Sequence, residues 1–163
     1  MANLGYRRTG ADLTVVEGEL VFVTSKDAKN IQADEADSYI LGYTIGNDLS
    51  CRFFQLPNHS GGQFFFAKAF DKFAPIGPLL VSTEQYNATA PGRRQFTRVN
   101  GKVVQDVEIA KDMIFTPGQI LSHMSRGSLA HCCSSASLDV ECSRRIQLTI
   151  PFQVQQSQRA LQS

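Results

Sequence analysis

Three carboxylates and two cations fall within a short stretch of this sequence: Glu17, Glu19, Asp48, Arg52 and Lys68. Carboxylate oxygens are hard ligands, and a set of them suits Mg²⁺, Mn²⁺ or Ca²⁺ better than zinc or copper. Glu17 and Glu19 are two residues apart, so in an extended chain their side chains share a face and repel unless a cation or proton lies between them. Each residue also has a plainer reading. The glutamates suit a solvated strand start, since acidic residues mostly lie exposed. Asp48, after Gly46 and Asn47, suits ordinary turn chemistry. Arg52 reads as a surface cation and Lys68 as a snorkelling side chain in an apolar run.

The elements that must position these groups are short. Residues 19–24, ELVFVT, are rich in Val and Phe and predict a buried strand. ADEADS at 33–38 favours a short helix, and 39–45 predicts a second strand, with Gly46 and Asn47 as a turn or bulge before Asp48. Arg52 and Lys68 are expected in strand-like segments on either side of a proline- and glycine-bearing loop, LPNHSGG at 56–62. PIGPLLVS at 75–82 reads as an edge strand entered through prolines, and 83–93 as a polar excursion. Asn100-Gly101 between QFTRV and KVVQDVEI predicts a hairpin, because both turn residues tolerate positive φ. Thr116 is placed to cap, and Pro117 to start, a helix through Ile120, Leu121 and Met124. After Gly127 the texture turns to serine and cysteine without a clean period. IQLTIPFQV offers one more strand, and QQSQRALQS reads as a disordered tail. The expected fold is a β-rich α+β domain with two short helices.

Composition narrows the function class. The 163 residues fit one domain with a real core, and 42% apolar against 19% charged residues marks a globular chain rather than a disordered one. Sixteen basic against fifteen acidic residues leave a net charge of +1, which points to neither nucleic acid nor an anionic membrane as partner. No apolar run is long enough to span a bilayer. MANLGYRRTGADL has no apolar core of a secretory signal, so the expected address is cytoplasmic, with a mitochondrial one as the alternative suggested by Arg7 and Arg8. Cys132 and Cys133 are adjacent beside His131, and Cys142 follows, with Cys51 far upstream. Adjacent cysteines lack the C-x₂-C spacing of tetrahedral zinc sites, so reduced, non-ligating thiols are expected.

Several of these segments together resemble one family. GELVFVTSKDAKNI followed by EADSYILGYTIGNDLSCR is similar to the E-x-E-L strand and GYT-x-x-ND-x-S-x-R segment of the fumarylacetoacetate hydrolase family. QFFFAKAFDKFAPIGPLLV resembles its A-K-(S/A)-F-D-x-F-x-P-x-GP element. RVNGKVVQD and KDMIF resemble its VNG hairpin and the entry to the following helix. The similarity covers residues 17–127 and implies a mixed β-sandwich or roll with a few short helices. It implies Glu17, Glu19 and Asp48 as ligands of Mg²⁺ or Mn²⁺ (Ca²⁺ being a third option), Arg52 and Gln55 as substrate-contacting side chains, and Lys68 as a catalytic lysine beside the metal. It further implies a homodimer acting on an oxo-acid, acylpyruvate or diketo-acid, by carbon–carbon hydrolysis, decarboxylation or tautomerisation through a metal-stabilised enolate.

The pattern is absent at both ends. Residues 1–16 hold no counterpart of the family's upstream lid with its histidine and glutamate, and 128–163 diverge from its TGTP-type strand. The expectation is therefore an incomplete, truncated member with its core at 17–127. A catalytically inactive metal-binding or dimerisation partner is the alternative. His59, in its loop, and His123, in the late helix, are read as ordinary surface histidines.

Overall fold

The computed structural model describes residues 14–15, 17–88, 92–133 and 135–137. The readings of MANLGYRRTGADL, Cys142, IQLTIPFQV and QQSQRALQS lie outside the described residues.

The central feature is an antiparallel pair, β2 (Gly18–Thr24) with β3 (Ile40–Asn47). Leu20 lies opposite Ile45 and Phe22 opposite Tyr43, so these four share a face. That face is the core. Leu20, Phe22 and Tyr43 pack with Ala28, Ile31, Ile40, Tyr86, Ile109 and Leu121, and Leu20 and Phe22 are fully buried. Each such side chain contributes on the order of 1.5–3 kcal/mol by leaving water. β5 (Val81–Ser82) pairs with the outer side of β3, and β8 (Ser135–Ser137) with the outer side of β2, giving a four-stranded sheet in the order β5-β3-β2-β8.

The β2–β3 register does not stop at Gly18 and Asn47. β1 (Thr14–Val15) pairs with β4 (Ser50–Cys51), Val15 opposite Ser50 and Thr14 opposite Cys51, which continues the same antiparallel alignment. Between the two ladders the Asp48 amide donates to the Glu17 carbonyl at 2.7 Å.

Several sequence expectations hold. The hairpin of β6 (Arg94–Val99) and β7 (Lys102–Glu108) turns on Asn100 (φ 51°) and Gly101 (φ 81°). Helix α5 (Pro117–Met124) begins at Thr116 with a reciprocal cap: Thr116 Oγ1 accepts from the Gln119 amide at 3.2 Å, and Gln119 Oε1 from the Thr116 amide at 2.8 Å. α5 docks on the chain after β2, where Ser122 Oγ donates to the Ile31 carbonyl at 2.8 Å and the Ile31 amide donates to Ser125 Oγ at 3.1 Å.

Other expectations are corrected. The helix expected at 33–38 is a single 3₁₀ turn at Ala36–Tyr39. Gly46 and Asn47 remain inside β3, since their backbones pair with Glu19 and Gly18. The 56–62 loop contains a helical turn, α1 (Pro57–Ser60), started by proline and ended by Gly61 at φ 55°. Neither Arg52 nor Lys68 lies in a strand: Arg52 opens a 3₁₀ turn, Arg52–Gln55, and Lys68 closes α2 (Phe65–Lys68). A short apolar run such as 64–70 has no period that separates strand from helix. The ring of Phe66 in α2 lies 5.4 Å from that of Phe70, just beyond the helix, and 4.8 Å from that of Phe54, between centroids. Of 75–82, only Val81–Ser82 pairs as a strand, and it does lie at an edge. The polar excursion after it begins with helix α3 (Thr83–Ala88), and α4 (Ile109–Asp112) follows the hairpin, so the helices outnumber the two expected.

The segment after Gly127 is not without structure. Ala28 and Ala130 form a backbone bridge, and Ser135–Ser137 pair with Val21–Val23. β2 therefore has strand partners on both sides.

Candidate functional site

The continued register explains how three ordinary acidic residues become a cluster. Glu17 and Asp48 face one another across the junction between the two ladders, and Glu19 lies two residues farther along the same face of β2, opposite Gly46. This face is turned away from Leu20, Phe22 and Tyr43. One carboxylate oxygen from each of Glu17, Glu19 and Asp48 lies within 4.8 Å of the other two. Among the described residues this is the one group of three or more His, Cys, Asp or Glu side chains close enough to hold a metal ion. Glu19 is 3% exposed, which makes three adjacent negative charges costly without positive charge nearby.

Lys68 and Arg52 bring that charge. Lys68 Nζ forms an ion pair with Asp48 Oδ2 and lies 3.9 Å from Glu17 Oε2. Arg52 Nη2 pairs with Glu17 Oε1, and its Nη1 donates to Gln55 Oε1 at 2.6 Å. All six residues singled out from the sequence thus belong to one connected arrangement. Glu17, Glu19 and Asp48 form its centre, Lys68 and Arg52 its positive margin, and Gln55 touches it through Arg52. The reason Arg52 and Lys68 reach the centre is the pair of turns described above: Arg52 follows β4 directly, and α2 returns the chain toward Asp48.

Gly46, opposite Glu19, is constrained by packing: a Cβ there would sit 2.7 Å from Val21 Cγ2. Thr44 is a further polar residue of β3. It lies opposite Val21 on the carboxylate face, 3% exposed, and its hydroxyl has no hydrogen-bond partner in the structure. Its one sequence signal is its place in the GYT-x-x-ND stretch. His59 packs its ring against Phe53 at 4.2 Å between centroids, and His123 lies in the last turn of α5.

The donor set fits a hard divalent cation. Three carboxylates from two paired segments supply oxygen ligands only, and the remaining positions are left to water or substrate oxygens, as Mg²⁺ and Mn²⁺ require. With both cations counted, the five charged groups sum to −1, so the cluster keeps an attraction for positive charge.

Comparison with known proteins gives a consistent result. Residues 5–131 match the fumarylacetoacetate (FAA) hydrolase C-terminal family. The chain is 38% identical over 117 residues to a fumarylacetoacetate hydrolase domain-containing protein 2 homolog from Dictyostelium discoideum, covering 68% of this chain and 38% of that protein. It is 38% identical over 112 residues to oxaloacetate tautomerase YisK from Bacillus subtilis (strain 168), covering 68% of this chain and 35% of the relative. Among solved structures, 5-carboxymethyl-2-hydroxymuconate delta-isomerase from Mycobacterium smegmatis superimposes with a TM-score of 0.68 at 32% identity, over 78% of this chain and 47% of that one. The matched part of this chain spans well under half the length of these curated relatives. No helix among the described residues is long and apolar enough to cross a membrane.

Proposed function

The chain belongs to the fumarylacetoacetate hydrolase family, and from that premise we propose that its carboxylate cluster is the centre of a divalent-metal enzyme acting on an oxo-acid. The observation that carries this reading is the meeting of Glu17, Glu19 and Asp48 within 4.8 Å on the face of β2–β3 turned away from the core. In it, these three residues hold Mg²⁺ or Mn²⁺, with Ca²⁺ a third candidate. A cation so held supplies Lewis-acid polarisation of the oxygens of a 2-oxo acid or β-diketone.

The chain's own side chains do the rest. The Lys68 ammonium, anchored on Asp48 beside Glu17, stands where negative charge gathers on the substrate as its enolate forms. Arg52 takes the substrate carboxylate, for which a planar guanidinium is suited, and Gln55 fixes the angle of that guanidinium. Enolate formation is common to tautomerisation, decarboxylation and carbon–carbon hydrolysis. The names of the Bacillus relative, a tautomerase, and of the mycobacterial structure, an isomerase, support keto–enol exchange as the first reaction to test. The setting proposed is the cytoplasm, with a second copy of the chain as partner.

A second reading is a metal-binding partner without turnover. It is favoured by apolar surface next to the site, since Phe65 is 81% exposed in the same short helix as Lys68. An Mn²⁺ titration of the chain followed by thermal unfolding tests both. Saturable binding that raises the melting temperature, and that Glu17→Ala loses, supports the metal centre; at a hundredfold excess over Kd the gain is about 2.7 kcal/mol. Oxaloacetate keto–enol exchange by the loaded chain then separates enzyme from inactive partner. Turnover that survives Asp48→Ala would overturn the metal-centred mechanism.

A further inference from the structure

The adjacent cysteines form a second feature, independent of the carboxylates. Successive side chains of an extended chain point to opposite faces. At Cys132–Cys133 the chain turns instead, with Cys133 at φ 61°. Both are free and exposed.

The turn is held from several sides. The Ala28 and Ala130 backbones exchange hydrogen bonds of 2.8 and 3.0 Å. Thr24 Oγ1 donates to the His131 carbonyl at 2.8 Å, the Cys132 amide donates to Asp27 Oδ1 at 2.7 Å, and the Cys133 amide donates to the Thr24 carbonyl at 2.9 Å. The hydrogen bond its S–H donates to Cys133, followed by that neighbour's charge, pushes the Cys132 thiol up from its ordinary pKa. Among the described residues no third His, Cys, Asp or Glu completes these sulphurs into a metal cluster. Two adjacent sulphurs without the C-x₂-C spacing of tetrahedral zinc sites suit a soft centre that bonds both at once.

We propose that Cys132 and Cys133 form a vicinal dithiol site that captures a soft, thiophilic centre of the trivalent arsenical class. With an arsine oxide as reactant, two arsenic–sulphur bonds form and the arsenic–oxygen bond is lost. Both thiol protons leave on that oxygen as one water, and arsenic stays trivalent, so neither oxidant nor reductant is needed. Because the second bond closes within one turn, it benefits from a high effective concentration, and a single thiol binds about 10²–10⁴-fold more weakly than the pair.

The test uses phenylarsine oxide on the full chain. One equivalent should bind, resist excess monothiol and come off with a 1,2-dithiol. Cys132→Ser and Cys133→Ser should each lower the affinity at least a hundredfold while leaving the melting temperature unchanged, because both side chains are exposed. Cys51→Ser and Cys142→Ser should bind as the parent does. Dithiol-reversible capture that persists in the Cys132→Ser/Cys133→Ser double variant, or that Cys142→Ser abolishes, would overturn the proposal. Equal affinity for the folded chain and the urea-unfolded chain would overturn the claim that the turn presets the pair.

Discussion

The two faces of the β2–β3 ladder are built from alternate residues of the same strands and have opposite chemistry. One face carries Leu20, Phe22, Tyr43 and Ile45 against α3, α4 and α5. The other carries Glu19, Val21, Thr44 and Gly46 and runs on to Glu17 and Asp48. A one-residue slip of β3 on β2 would exchange the faces, sending aromatic rings into the site and separating Glu17 from Asp48. The apolar face is what forbids that slip. The stability of one face is thus the precision of the other, and carboxylates that repel one another are held in register by residues that never touch them.

Substitutions on either face break or sharpen this comparison. The largest effect is expected from Phe22→Ala, which empties a fully buried site on the apolar face and should cost about 3–5 kcal/mol in denaturant unfolding. If instead the chain unfolds at its original midpoint, the apolar face is not what holds the register. Next comes Glu19→Gln, which keeps shape and removes charge. Mn²⁺ affinity by titration should fall at least ~10²-fold, beyond what loss of an outer partner brings, while metal-free stability moves by no more than about 1 kcal/mol. A large loss of metal-free stability would mean that the two faces are not separable.

Gly46→Ala adds a methyl group 2.7 Å from Val21 Cγ2 and tests the packing between the faces. About 1–3 kcal/mol of destabilisation is expected from thermal unfolding, with Mn²⁺ affinity lowered because Glu19 lies directly opposite. The smallest effect is confined to alkaline solution. Tyr43 stacks on Tyr86 at 3.7 Å between ring centroids, and burial, reinforced by Tyr86 and Asp37, raises its pKa well above the ordinary phenol range. Tyr86 is also raised, again chiefly by burial. A raised folded-state pKa gives a stabilisation that is complete below the unfolded value, so stability should hold to about pH 10 and fall as the pH rises further. Tyr43→Phe should flatten that fall, and an unchanged slope in the variant would remove Tyr43 as its source.

Much of the scaffold was legible because its signals are local. ELVFVT has the composition of a buried strand, Asn100-Gly101 demands positive φ, and Thr116-Pro117 marks a helix start. The site was legible only as a set of family motifs. Glu17 and Asp48 meet through a pairing between distant segments, and nothing in either segment alone reveals its partner. Lys68 is not legible as helical, because FFFAKAF is apolar apart from the lysine itself and has no period to read. Ser135–Ser137 carry no strand signal for another reason. An edge strand attaches through backbone hydrogen bonds, which serine and alanine supply as well as valine does.

The shared register also has a kinetic side. Glu17, Glu19 and Asp48 are united by one loop closure, the connection between Thr24 and Ile40, whose entropic cost rises by only about 0.6 kcal/mol for each doubling of length. The carboxylates therefore assemble as that hairpin zips. Lys68, 20 residues beyond Asp48, and the His131 turn, 107 residues beyond Thr24, are expected to dock afterwards. On this order φ-values should be high at Val21 and low at Ala130. The nascent sheet would then carry its negative charges before its own cations arrive, and a divalent ion present at that moment would act on folding as well as on the folded chain.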